Sequence, residues 1–203
     1  MATIEVPHKI RALVDHHMKS ANTPLYIAID GHSGSGKSTI ARSIAAHYGS
    51  HNVTVIEGDD FYSGGSAAHW DNRTAAQNAQ AAIDRDHLFA VLQTLMKERN
   101  AQWHAFNWYS EQWDAATAPR HTTPTRVVEN RINIVEGVYT TATPLAALYQ
   151  LRIMINASQV VRRQRVALRD GEHFCPRWHE RWLAAENAYF GSQDNTVFDL
   201  LIP

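Results

Sequence analysis

Gly31-His32-Ser33-Gly34-Ser35-Gly36-Lys37-Ser38 spells G-x-x-x-x-G-K-S, the spacing of a loop that wraps nucleotide phosphates. Glycines let such a loop turn its N–H groups toward anionic oxygens. Lys37 adds a mobile positive charge, and the Ser38 hydroxyl can ligate Mg²⁺ beside the phosphates. The expected nucleotide contacts therefore run along Gly31, Ser33, Gly34, Ser35, Gly36, Lys37, Ser38 and Thr39. Two further places carry acid chemistry. Asp59-Asp60 follows the apolar run Val53 to Ile56, and Glu136 follows Ile132 to Val135. A carboxylate at the first place can accept a hydroxyl proton, and one at the second can hold metal-bound water; both segments also suit an ordinary turn. Arg162, Arg165 and Arg169 stand at i, i+3 and i+7, so they can share a helical face that clamps phosphates or a solvated face paired with Asp170 and Glu172.

Chemistry at these points requires elements that bring them together. Leu25 to Ile29 reads as a buried strand leading into the glycine loop, and Ser38 to His47 as an amphipathic helix leading out. Val6 to Ser20 predicts an opening helix, Asp84 to Arg99 another with Leu88, Val91, Leu92 and Leu95 inward, and Pro144 to Tyr149 a short one. Ser158 to Asp170 and Pro176 to Phe190 predict two more helices, while Leu151 to Ile155 and Val197 to Ile202 predict strands. Ser63 to Gln80 reads as a polar loop that orders on demand. Trp103 to Trp113 reads as a strand or hairpin wall whose aromatics either stack on a base or fill the core. Strands alternating with helices predict an α/β fold with a mainly parallel sheet covered on both faces, whose ligands gather at the carboxyl ends of the strands.

Composition narrows the partners. Lys and Arg total 19 against 20 Asp and Glu in 203 residues, so no basic excess points to nucleic acid or an anionic membrane. One cysteine, Cys175, excludes an internal disulfide framework and fits a reducing compartment. No apolar run approaches the roughly 20 residues that span a bilayer, and the N-terminus lacks the pattern of a signal peptide. The expectation is a cytoplasmic protein of one domain over residues 1–203 whose partner is a small molecule. The histidines show no metal-ligand spacing.

Taken in order, these motifs resemble the uridine kinase and phosphoribulokinase group of P-loop kinases. Gly58-Asp59-Asp60-Phe61-Tyr62 is similar to the turn that carries their acceptor-site aspartate, and Trp70-Asp71-Asn72 and Ala82-Ile83-Asp84 resemble pieces of their substrate loop. Ile134-Val135-Glu136-Gly137-Val138 is similar to the strand bearing their metal-associated glutamate, Arg165 to Asp170 to their R-x-x-R-D lid, and Phe198 to Pro203 to their closing strand. The resemblance implies a P-loop NTPase-type parallel β-sheet flanked by helices, with a small helical lid near residues 162–175. It also implies an ATP- and Mg²⁺-dependent kinase acting on a hydroxyl of a nucleoside-like acceptor. Lys37, Asp59 and Arg169 would be catalytic, with Asp59 the general base. Ser38, Asp59 and Glu136 would serve the metal, Arg165 and Arg169 the nucleotide, and Asp59, Tyr62, Asp71, Phe106 and Trp108 the acceptor. Two departures bear on the acceptor. Phe106-Asn107-Trp108-Tyr109-Ser110-Glu111 stands where uridine kinases have an aspartate and then a histidine for the pyrimidine, and the lid is one residue longer. Uridine and cytidine are therefore expected to be poor acceptors, with nicotinamide riboside, pantothenate or a sugar phosphate as alternatives. A nucleotide-binding regulatory module is the other class. Lys37, Ser38, Asp59 and Glu136 are all retained, which favours turnover, and no N-K-x-D motif marks a guanine switch.

Overall fold

The apolar run Leu25–Asp30 (β1) lies at the centre of a five-stranded sheet, buried along its whole length. The sheet order is β2 (Val53–Glu57), β5 (Ile132–Glu136), β1, β6 (Leu151–Ile155) and β7 (Leu200–Ile202), and every neighbouring pair is parallel. This computed structural model describes residues 5–110, 119–173 and 175–203. Alternation along β1 divides the core. Leu25, Ile27 and Ile29 join one cluster with Ile10 and Val14 of α1 (His8–Ser20) and with Ala41 and Ile44 of α2 (Lys37–Tyr48). Tyr26 and Ala28 face the other cluster, where Leu88, Leu92 and Leu95 of α5 (Arg85–Glu98) pack. The strand register sets Glu57 opposite Glu136, so both acidic strand ends leave the sheet side by side.

Four local expectations change. The stretch expected as a loop from Ser63 to Gln80 contains two helices, α3 (Ala67–Asp71) and α4 (Ala75–Ala81). Ser66 caps the first through His69 N–H, and Thr74 and Gln77 form a reciprocal capping box on the second. Trp70, fully buried, pins the pair to the core despite the polar sequence around it. The aromatic wall begins earlier than expected: β3 (Asn100–Trp103) pairs antiparallel with β4 (Thr125–Val128). Residues 111–118, including Glu111 and Trp113, lie outside the described residues. The short helix after Pro144 is a 3-10 turn, Leu145–Leu148, and the closing strand is only Leu200–Ile202, preceded by a 3-10 turn at Asn195–Val197.

After β6 come α6 (Gln159–Asp170) and α7 (Pro176–Ser192), and Ala185 and Tyr189 of α7 join the cluster around Tyr26 and Ala28. No described helix is long and apolar enough to cross a membrane.

Candidate active site

Physical necessity shapes the glycine loop from behind as well as in front. A Cβ on Gly34, whose φ is +75°, would sit 2.6 Å from the Arg162 carbonyl oxygen, so only glycine lets α6 lie against the loop. Arg165 of α6 then ties the loop down, its Nη1 donating to the carbonyls of Gly34 at 3.3 Å and Ser35 at 3.0 Å. Gly31 N–H donates to Asp30 Oδ1 at 2.7 Å, and Ser35 N–H to the His32 carbonyl at 3.1 Å. Gly36 opens α2 as its N-cap, and no side chain caps that helix. Its first N–H groups, on Lys37, Ser38 and Thr39, thus present the partial positive charge of a helix N-terminus to an anion. Lys37 is buried, its Nζ donating to the His32 carbonyl at 3.1 Å.

Sequence reasoning missed two carboxylates that hold this loop. Asp30, fully buried at the end of β1, accepts from the N–H groups of Gly31, Tyr139 and Thr141 and from the hydroxyls of Thr141 and Tyr189. Burial pushes its carboxyl up, opposed chiefly by the bonds from Thr141. Glu186 of α7 reaches the loop itself: it accepts from Ser33 N–H at 3.0 Å and from the Ser33 hydroxyl at 2.5 Å, with Arg162 3.9 Å away. Its carboxyl too is raised by burial. The signal for Glu186 was present, since Trp182, Ala185 and Tyr189 mark the inward face of a helix at its own spacing.

At the acidic strand ends, Gly58 and Gly137 pack so closely that a Cβ on Gly137 would meet Gly58 Cα at 3.1 Å. This contact brings Asp59, in the 3-10 turn Gly58–Phe61, near Glu136. Glu136 is buried and accepts from the Ser38 hydroxyl. Burial raises its carboxyl, Ser38 and Lys37 oppose the rise, and Asp59 and Glu57 add to it by repulsion. A divalent cation would relieve that repulsion. Among the described residues no three His, Cys, Asp or Glu side chains form a metal cluster. The residues present fit Mg²⁺ and ATP instead, because Mg²⁺ is commonly held by one or two protein groups together with phosphates and water. The two neighbouring aspartates have different surroundings. Asp60 is half-buried, its Oδ2 accepting from Trp103 Nε1 at 2.8 Å, while Asp59 is exposed.

A cleft of about 1140 Å³ runs from Ser33 past Asp59 to an aromatic wall of Tyr62, Trp108, Trp178 and Trp182. Tyr62 stacks on Trp108 with ring centres 4.9 Å apart and meets Trp178 and Trp182 edge-on. Phe106 is fully buried behind this wall, edge-on to Tyr62 at 4.9 Å. Asp71 is committed elsewhere: Arg177 binds its Oδ2 at 2.6 Å and Arg181 its Oδ1 at 2.5 Å, so the carboxylate fastens α3 to α7. The three α6 arginines do not act alike. Arg162 is buried, donating from Nε to the Ala157 carbonyl at 3.1 Å, and Arg165 braces the loop. Arg169 lines the cleft and pairs with Asp170 at 2.6 Å. Asn107 Oδ1 accepts from Tyr109 N–H at 3.1 Å, closing its own turn.

Residues 26–173 match the phosphoribulokinase / uridine kinase family. A uridine kinase from Clostridium perfringens strain SM101 is 30% identical over 149 residues, covering 72% of this chain and 68% of that protein. Among solved structures, a candidate fructose transport system kinase from Silicibacter sp. TM1040 superposes with a TM-score of 0.68 at 20% identity, covering 95% of this chain and 98% of the other. A candidate uridine kinase from Bacillus stearothermophilus gives a TM-score of 0.63 at 17% identity over 96% of this chain and 100% of the other.

Proposed function

Since the chain belongs to the phosphoribulokinase / uridine kinase family and is a small-molecule kinase, we propose that it transfers the γ-phosphoryl group of ATP to a hydroxyl of a nucleoside-like acceptor. One observation carries this reading: Ser33 of the glycine loop, Asp59 and the aromatic pair Tyr62 and Trp108 open into the same cleft. When bound, Mg²⁺–ATP supplies the phosphoryl group and the counter-charge for its oxygens. The N–H groups that begin α2 orient the phosphates, and Lys37 leaves the His32 carbonyl to meet negative charge on the moving group. Ser38 and Glu136 would hold the metal. Exposed at the cleft, Asp59 accepts the proton of the attacking hydroxyl, and Arg169 swings from Asp170 onto phosphate oxygens. Tyr62 and Trp108 give the acceptor a flat, apolar wall, which suits a planar ring.

A second reading of the acceptor rests on Asn107. Its side chain closes a local turn where the uridine kinases carry an aspartate for the pyrimidine, so a good acceptor is not uridine or cytidine. Nicotinamide riboside, pantothenate and sugar phosphates are the alternatives. ADP release measured over these compounds and the pyrimidine nucleosides separates the readings, with Lys37→Ala as the control. One acceptor should stand out, and Lys37→Ala should lower its turnover by roughly a hundredfold or more while the protein still folds. If uridine proves best, with kcat/KM above about 10⁴ M⁻¹s⁻¹, Asn107 does not exclude the pyrimidine. If Lys37→Ala turns over normally, the phosphate-loop reading fails.

A further inference from the structure

Asp170 ends α6, where the last carbonyls make a helix terminus negative, so a carboxylate there needs positive charge around it. It has one cation and a second group that can become one. Arg169 Nε donates to its Oδ1 at 2.6 Å, and His179 Nε2 lies 2.9 Å from its Oδ2. A carboxylate only accepts, so the neutral imidazole carries its proton on Nε2 and leaves Nδ1 to receive another. His179 opens α7, its N–H donating to the Cys175 carbonyl at 3.1 Å, and that positive helix end disfavours an imidazolium. Burial also holds the ring below the ordinary histidine value; Asp170 opposes this, and Arg169 and Arg163 of α6 add to it. Among the described residues, His173 and Cys175 of the intervening turn and Glu180 of α7 are the other titratable neighbours in sequence that line the same cleft. The two partners of Asp170 differ in freedom. The His179 and Asp170 side chains are each 21% exposed, whereas that of Arg169 is 64% exposed, so Arg169 is the partner able to leave.

We propose that His179 is a positioning residue for Arg169: when nucleotide draws the guanidinium off Asp170, the imidazole takes a proton from solvent at Nδ1 and holds the carboxylate alone. The inference rests on the kinase reading above, in which Arg169 moves onto phosphate oxygens. Without the exchange, Asp170 would be left partly buried and unpaired, and it would pull Arg169 back from the phosphates. With it, the charge lost on one side of the carboxylate is replaced on the other. The departure of Arg169 removes a cation that repels the imidazolium, so Asp170 then favours the charged ring. Nucleotide binding and proton binding at His179 therefore strengthen each other by the same free energy.

Calorimetric titration of the protein with a non-hydrolysable ATP analogue and Mg²⁺ near neutral pH, repeated in buffers of different ionisation enthalpy, counts the protons bound with the nucleotide. Wild type should take up roughly half a proton more than His179→Gln, whose amide still donates to Asp170 but cannot titrate. Raising the pH by one unit from neutrality should therefore weaken the analogue about threefold more in wild type than in the variant. In Arg169→Ala, Asp170 faces His179 alone before nucleotide arrives, so the ring should already be charged and the extra uptake lost. The NMR titration of the His179 ring in the free protein should accordingly move to higher pH in Arg169→Ala than in wild type. Equal uptake in wild type and His179→Gln would overturn the proposal. Uptake that survives in Arg169→Ala would assign the proton to the arriving phosphates and overturn it as well. If the analogue does not bind wild type at any pH, the kinase reading fails, and the ring titration decides the exchange at Asp170 by itself: a rise in Arg169→Ala supports it and no rise overturns it.

Discussion

The neighbouring aspartates Asp59 and Asp60 offer a double dissociation between catalysis and stability. Asp60→Ala takes away the acceptor for Trp103 Nε1, a bond of 2.8 Å, and Trp103 is itself buried, so its indole N–H is left without a partner. Orphaning a buried donor costs about 1 to 3 kcal/mol. In a chain of this size, each kcal/mol shifts the melting temperature by roughly 2 to 4 °C, which gives a fall of about 2 to 12 °C. The backbone carbonyl of Asp60, which accepts from Phe106 N–H at 2.8 Å and Arg120 Nη1 at 2.7 Å, survives the substitution, so the loss stays within that range. Asp59→Asn keeps the shape and removes the proton acceptor. At an exposed position it should change stability by no more than about 0.5 kcal/mol, yet lower kcat by roughly a hundredfold to ten-thousandfold. Thermal melts and ADP-release kinetics on the same preparations read both effects. The reasoning is refuted if Asp60→Ala loses as much turnover as Asp59→Asn without melting earlier, or if Asp59→Asn retains near-normal kcat.

Two further outcomes follow from the glycine loop. Glu186→Gln can keep both bonds to Ser33, its oxygen accepting the N–H and its amide donating to the hydroxyl, while removing a negative charge that the phosphates must approach. Like charges at a few ångströms repel by several kcal/mol at an effective dielectric near 20, so even a small part of that should tighten a non-hydrolysable ATP analogue about tenfold in calorimetry. Weaker binding would show that the charge supports the loop instead. His32, whose ring lies 4.3 Å from that of Phe190, is pushed down to about 4, first by burial and then by Arg162. The folded state thus favours its neutral form; that contribution is complete above the ordinary histidine value near 6.5 and is lost as pH falls from there toward about 4. Melting temperatures at pH 7.5 and 5.0 should therefore differ less for His32→Gln than for the wild type, and equal differences would exclude His32 from the acid limb.

Much of this architecture was legible because it depends on local signals. Leu25 to Ile29 is apolar on both faces and is buried along its whole length, and Leu88, Val91, Leu92 and Leu95 keep helical period and are buried together. The glycine loop was legible for the same reason, since its spacing is its mechanism. Ser63 to Gln80 was misread because its composition is polar, although the T-x-x-Q of Thr74 and Gln77 is a helix-start signature that needs no structure to see. The α6 arginines show the limit of periodicity. Their spacing places them on neighbouring turns, but it cannot tell that Arg162 and Arg165 donate to backbone carbonyls while Arg169 pairs with Asp170. Asp30 was hidden by its position at the end of an apolar run, where a carboxylate is tolerated only because five donors converge on it from chain segments more than a hundred residues away as well as from Gly31.

The helix α7 ties these long-range partners into one device. Trp178 and Trp182 stand at the aromatic wall, Arg181 holds Asp71 of α3, Glu186 holds Ser33 of the glycine loop, and Tyr189 reaches Asp30 and the Tyr139 ring. From 178 to 189 a helix rises about 16 Å, so one rigid element touches the acceptor wall at one end and the phosphate loop at the other. Nucleotide that displaces Glu186 from Ser33 must therefore load the same helix that carries Trp178 and Trp182. By reciprocity, if an acceptor that shifts those rings changes the cost of freeing Ser33, nucleotide changes the affinity for that acceptor by the same free energy.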